Sequence, residues 1–303
     1  MKPAKILILP LAFILLISIS ACQKPADKAV IKEKRLRIIT TIPPLYSFTK
    51  NIVGNLADVE NLLPSGVGPH EYSFKPNDVK RVADARMLIK NGAGLENWLD
   101  GMIDLTGAGS LKVIDTSIGV DVINNDPHIW ISPKNAMVQV KNITDALIKA
   151  DPDNGKAYRK NSEDYIAKLK LLDEEISSAA SGWSKKDFVS LHSAFLYFAK
   201  DYGLRQVGVI IESPDKIPTP GHLKDIMGKI RAAGIKAIFS EPGPHPKAVM
   251  MIAKELGVEI YRLDTMEAGD LSSGWYEEKT RANLLVMKMA FDQYYGVSKG
   301  NSK

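Results

Sequence analysis

The 303 residues include five histidines and a single cysteine, so the side chains able to hold a transition metal can be weighed one at a time. Three of the histidines stand where the backbone is about to change direction. His70 lies in Gly66-Val67-Gly68-Pro69-His70-Glu71, after a strand-like run, where glycine and proline fix a turn that presents the imidazole. His128 lies in Asp126-Pro127-His128-Ile129-Trp130, another proline-fixed turn, ahead of a helix opening at Ser132-Pro133. His192 follows the apolar run Phe188–Leu191, and Asp264 follows Glu259-Ile260-Tyr261-Arg262-Leu263 in the same way. Three imidazoles and one carboxylate make a complete tetrahedral set for Zn2+. Spacing alone does not join these residues, however, and a histidine taken singly is more often structural or superficial than a ligand.

Other residues near these positions have more than one reading. Glu71 could bind the metal or, like Glu241, accept the second ring N–H of a ligating histidine, as carboxylates commonly do; Glu71 reads more simply as a solvated carboxylate, and Glu241, in Ser240-Glu241-Pro242, equally as a strand-end residue of structural value. Trp130 could wall a cleft or belong to the core. His222, after Pro220-Gly221 at a helix start, and His245, in Gly243-Pro244-His245-Pro246, read as exposed turn or helix-entry residues. Gly92-Ala93-Gly94 lacks the third glycine of a dinucleotide fingerprint, since position 97 is Asn97. There is no phosphate-binding loop, no Gly-x-Ser-x-Gly elbow and no His-Glu-x-x-His pair. The net charge of +5 is no nucleic-acid footprint, because beyond the N-terminal region basic and acidic residues are interspersed.

The elements that must position these side chains alternate between short β-branched runs and longer helical stretches. Strands are expected at Leu36–Thr41, Val59–Leu63, Met87–Lys90 and Lys112–Ile114, then at Phe188–Leu191, Val207–Ile211, Ala237–Phe239 and Glu259–Leu263. Helices are expected at Ala194–Tyr202, His222–Ala233 and Lys247–Leu256. Such alternation predicts an α/β fold of two lobes, each a mostly parallel sheet flanked by helices. In that architecture ligands bind beyond the carboxyl ends of the strands, and His70, His128, His192 and Asp264 all stand at or near element ends. Between the lobes, Tyr165, Leu169, Leu172 and Ile176 form one apolar stripe on a charged segment from Lys156 to Ala180, which predicts a long, rigid interlobe helix. Trp275–Tyr295 reads as a terminal helix. The expected division is 36–150 for the first lobe, 151–181 for the linking helix and 182–303 for the second lobe.

The N-terminus reads as a targeting segment. Lys2 and Lys5 precede an apolar run, Ile6 to Ala21, shorter than the roughly 20 residues that span a membrane comfortably. It ends in Ile19-Ser20-Ala21-Cys22, the arrangement that bacterial lipoprotein processing requires. Residues 1–21 are thus expected to be a lipoprotein signal peptide, Cys22 the lipid-carrying first residue, and 22–35 a lysine-rich flexible tether. One cysteine excludes an internal disulfide.

The segments GPHEY, DPHIWISP, VSLHSAFLYFAKDYGL and YRLD, in this order, resemble the motifs of the metal-binding lipoproteins of ABC importers, the cluster A-I zinc and manganese group. TIPPLYSF at Thr41, NGAGLENWLD at Asn91 and FSEP at Phe239 resemble the same family, over about Leu36 to Tyr295. The resemblance implies that His70 and His128 are the first-lobe metal ligands and His192 and Asp264 the second-lobe ligands. It also implies zinc over manganese, since manganese-type members tend to have glutamate where His192 stands. The histidine- and acid-rich loop of many zinc-type members is missing after His70, so no auxiliary metal collection is expected.

The protein so implied is an extracytoplasmic, lipid-anchored binding protein, at the cell surface or in the periplasm, that captures Zn2+ as cargo and delivers it to a membrane permease. It is expected to be monomeric, to bind no nucleic acid and to catalyse no reaction. The competing readings are a manganese-specific member of the family, a surface adhesin, and a secreted zinc-dependent hydrolase with Asp264 or Glu241 as general base. Catalytic zinc keeps a position open for water, which a fourth protein ligand closes.

Overall fold

The computed structural model describes residues 35–70, 72–107, 109–211, 217–242 and 246–295. Cys22, Glu71 and His245 lie outside the described residues, as do the expected signal peptide and the tether up to Lys34.

The first sheet consists of β1 (Leu36–Thr40), β2 (Ala57–Asn61), β3 (Met87–Lys90) and β4 (Lys112–Asp115), in the order β2-β1-β3-β4 with every pairing parallel. Parallel neighbours need crossovers, here through α1 (Pro43–Val53), α2 (Pro76–Ala83) and α3 (Leu99–Thr106). α1 opens on Pro43-Pro44, where the missing N–H groups would have had no helical partner. Alternation along the strands feeds two separate cores. Ile38, Met87 and Ile89 face α1 and the helices beyond it, whereas Ile39 and Leu88 pack with Val82, Leu99 and Met102 on the other face.

The second sheet repeats the plan: β5 (Asp187–Ser190), β6 (Arg205–Val209), β7 (Ala237–Ser240) and β8 (Glu259–Arg262) run parallel in the order β6-β5-β7-β8. Val189 and Ile238 pack on α7 (Pro220–Ala233) and α8 (Lys247–Leu256), and Phe188 and Phe239 point the other way. β6 begins two residues before the expected Val207, because Arg205 pairs with Asp187 at the start of the ladder and draws the strand back. The helix expected from Ala194 is α6 (Leu196–Tyr202), so His192 to Phe195 form an irregular turn.

Between the sheets run α4 (Pro133–Ala150), a single 3-10 turn at Pro152–Asn154, and α5 (Gly155–Ser181) of 27 residues. At 1.5 Å per residue α5 is about 40 Å long, the span of a small domain. Its stripe of Tyr165, Leu169, Leu172 and Ile176 is wholly buried and joins one apolar cluster with Ile38 and Met87 of the first sheet and Phe188 and Phe239 of the second. α9 (Trp275–Tyr295) returns to the first lobe, where Tyr276 meets Phe48 edge to face at 4.8 Å and Glu277 accepts from Tyr165 at 2.9 Å. One continuous core therefore ties both lobes to α5.

Truncating that stripe should be felt by the whole molecule. Leu169→Ala, at a fully buried position, is expected to lower the unfolding free energy by about 2–5 kcal/mol, read by urea denaturation of the metal-free protein as one shifted transition in both lobes.

Candidate metal site

Each histidine reaches the interlobe cleft by a different local device. Pro69, beside His70, is held by Trp98, whose indole Nε1–H donates to its carbonyl at 2.8 Å. Pro127, beside His128, is held by Asn91, whose Nδ2 donates to its carbonyl at 2.9 Å. Asn91 is itself fixed from beneath: its backbone N–H donates to Glu96 at 2.7 Å, and its side-chain oxygen accepts from Gln139 at 3.1 Å. The buried Glu96 also accepts from Thr41 at 2.6 Å and from the backbone N–H of Gly92 at 3.1 Å. Gly92, at φ 81°, must be glycine, for a Cβ there would lie 1.9 Å from an Asp115 oxygen. His192 leaves β5 two residues past its end, where its carbonyl accepts from the Ser190 hydroxyl at 2.7 Å.

The three imidazoles and one carboxylate then meet. His128 Nε2 lies 3.2 Å from His70 Nε2 and 3.4 Å from His192 Nε2. Glu267 Oε1 lies 3.1 Å from His128 Nε2 and 3.5 Å from both His70 Nε2 and His192 Nε2. Four donors on a tetrahedral Zn2+ with bonds of about 2.0–2.1 Å stand about 3.3 Å apart, which matches these edges. Among the described residues this is the group of histidine and acidic side chains placed to hold a metal ion.

The carboxylate that meets the imidazoles is Glu267 and not the expected Asp264. Asp264 lies just past the strand end, but its carboxylate is not among the four donors that meet. One oxygen accepts from the Met266 N–H at 2.8 Å and the other faces Lys279 Nζ at 3.1 Å, while its backbone is pinned by Asn283. Met266, buried and at φ 59°, then redirects the chain so that the next side chain enters the cleft. The usable signal was a second carboxylate three residues on in Asp264-Thr265-Met266-Glu267.

Carboxylates also back two of the rings, a common arrangement around metal-binding histidines. Glu241 accepts from His192 Nδ1, and Asp126 accepts from His128 Nδ1 at 2.6 Å as well as from its backbone N–H at 2.9 Å. Both bonds leave the Nε2 atoms facing the cleft. Sequence reasoning missed Asp126, although it stands two residues before His128. Trp130 is fully buried, its ring 5.3 Å from that of His128. His222, expected at an exposed turn or helix entry, lies in the first turn of α7 and is half-buried, with Nε2 2.9 Å from the Val209 carbonyl.

The electrostatics are those of a cluster that exchanges protons for a cation. Burial opposes charge on His192, but Glu241 and Glu267 outweigh it and push the imidazole up to about 10. Burial acts likewise on His128, and Asp126 and Glu267 more than offset it, so its pKa is raised. Burial works to raise that of Glu267, yet hydrogen bonds from His128, His192 and His70 hold it well below the usual carboxylate range.

Two α/β lobes closed on such a cluster define a substrate-binding protein of the metal-import class. Residues 38–290 match the family described as ZnuA, zinc-uptake complex component A, periplasmic, and the chain belongs to that family. It is 33% identical to the high-affinity zinc uptake system protein ZnuA of Bacillus subtilis, covering 90% of this chain and 92% of that protein. It is 30% identical to the zinc-binding lipoprotein AdcA of Streptococcus pneumoniae over 97% of this chain but 62% of AdcA, and so spans less than two thirds of that relative. The Zn(II)-bound ZnuA-like domain of AdcA has a TM-score of 0.74 at 31% identity, covering 86% of this chain and 100% of the domain. The substrate-binding protein FpvC of Pseudomonas aeruginosa, in complex with Ni2+, has a TM-score of 0.79 at 32% identity, covering 86% of this chain and 98% of FpvC.

The raised histidine pKa values carry a sign. A pKa raised from 6.5 to about 10 stabilises the metal-free fold fully below pH 6.5, and the contribution fades as pH climbs toward 10. The melting temperature of metal-free protein is therefore expected to fall between pH 6.5 and 10, and Glu241→Gln to flatten that decline, as read by calorimetry across the range.

Proposed function

We propose that this chain is the extracytoplasmic zinc-binding component of an ABC importer, taking Zn2+ as cargo between its lobes and handing it to a membrane permease. The observation that carries the reading is the tetrahedral spacing of His70, His128, His192 and Glu267. Three imidazoles suit Zn2+, whereas Mn2+ favours oxygen ligands and stands lowest in the divalent affinity order. His192 also stands where zinc-type members of the family have histidine. Four protein ligands leave no place for a reactive water, which fits capture and release and not hydrolysis.

The names of the zinc-binding relatives support the same cargo, and that of the lipoprotein AdcA supports lipid attachment at Cys22. Among the described residues no helix is long and apolar enough to cross a membrane. Attachment would come from the lipid on Cys22, with the monomeric protein held at the outer face of a membrane beside its permease.

Calorimetric titration of the metal-stripped protein is expected to give one tight zinc equivalent and much weaker manganese binding. Glu267→Ala and His192→Ala should each abolish tight binding, whereas Asp264→Ala should weaken it by no more than about tenfold, because Asp264 shapes the loop without facing the ion. No tight zinc binding would overturn the reading, tight manganese binding with weak zinc would overturn the cargo, and loss in Asp264→Ala but not in Glu267→Ala would overturn the ligand set.

A further inference from the structure

Glu267 follows a strand of the second sheet, yet the segment that carries it is fastened to the first lobe. β8 ends at Arg262 and α9 begins at Trp275, and the chain between them is hydrogen-bonded to residues of the first lobe. Trp130 Nε1 donates to the Thr265 carbonyl at 2.9 Å, and the Ser65 hydroxyl reaches the Gly269 carbonyl at 3.4 Å. At the far end, α1 supplies two donors to one acceptor: Ser47 Oγ and Asn51 Nδ2 lie 2.7 and 2.6 Å from the Ser273 carbonyl. Asn51 Nδ2 also donates to the Ser47 carbonyl at 2.9 Å, which holds the pair together on the helix. The turn between is closed by Trp275, against whose ring Gly269 packs so closely that a Cβ there would lie 2.6 Å away. A shift at Ser273 is thus passed toward Glu267 through a packed turn.

We propose that Ser47 and Asn51, on a helix that carries no ligand, are positioning residues for Glu267: by gripping the Ser273 carbonyl they hold this segment against the first lobe and keep the fourth ligand within reach of the three imidazoles. The inference rests on the metal-binding reading above and adds to it the residues that set how long the ion stays. In this arrangement His70, His128 and Glu267 are held by the first lobe, and His192 alone comes with the second. The paired donors act on retention, because the cleft reforms around the ion only if Glu267 returns to the same place.

The test is the rate of zinc release into excess chelator, measured by stopped flow on the full mature chain for wild type, Ser47→Ala/Asn51→Ala, Glu267→Gln and the combined variant. Loss of two hydrogen bonds is expected to speed release about tenfold, at temperatures well below the melting point of each metal-free variant, with no further acceleration when Glu267→Gln is already present. Asn51→Ala alone, at a half-buried site, should give a smaller change in the same direction. Release at the wild-type rate in the double variant would overturn the proposal, as would an equal acceleration on the Glu267→Gln background. Either result leaves the metal-binding reading standing, which fails only if the wild type itself holds no zinc.

Discussion

Three imidazole nitrogens converge on one carboxylate oxygen inside a cleft with little access to water, and the surrounding structure answers to that constraint. Burial penalises every charge in the group, so neither a lone carboxylate nor a lone imidazolium would be stable there. Together they relieve one another: the carboxylates raise the pKa of His128 and His192, and the imidazoles hold that of Glu267 down. A divalent cation can replace protons there and satisfy the same four atoms. The cluster is thus held in shape by the electrostatics that a metal would use.

Such a cluster demands small positional error, since a tetrahedral ion tolerates little change in donor spacing. The first lobe meets the demand with buried polar bonds. Glu96, Asn91 and Gln139 lie beneath Pro127 and reach it through a chain of hydrogen bonds, and Trp98 does the same for Pro69 with one. Buried polar groups whose donors are paired define one geometry, because alternatives strand those donors away from water. The second lobe contributes His192, backed by Glu241, and Glu267 on a segment bonded to the first lobe.

The apolar core explains why this precision survives between two lobes. α5 belongs to the same packed cluster as both sheets, so separating the lobes by any large angle would open a cavity along Tyr165, Leu169 and Leu172. Small displacements of loops on that frame cost much less. Cargo exchange is therefore suited to local movement at the cleft, where the Glu267 segment and the His192 turn lie outside regular elements.

Element order, the parallel sheets and the long connecting helix were legible in the alternation of β-branched runs with helical stretches and in the apolar stripe of α5, because burial on one or both faces writes its period into the chain. The positions of His70, His128 and His192 at element ends were legible for the same reason. Their meeting at one point was not, since turns of unrelated sequence are brought together only by how the sheets pack on α5. The fourth donor shows where local reading stops. Asp264 stands first after its strand, but the direction of its side chain depends on Asn283 and Lys279 of α9. The backbone turn at Met266 and the contacts on Trp130 and Ser47 carry Glu267 into the cleft instead. Sequence alone determined which residue types stood at the ends of the strands, and only tertiary contacts decided which of two nearby carboxylates faced the site.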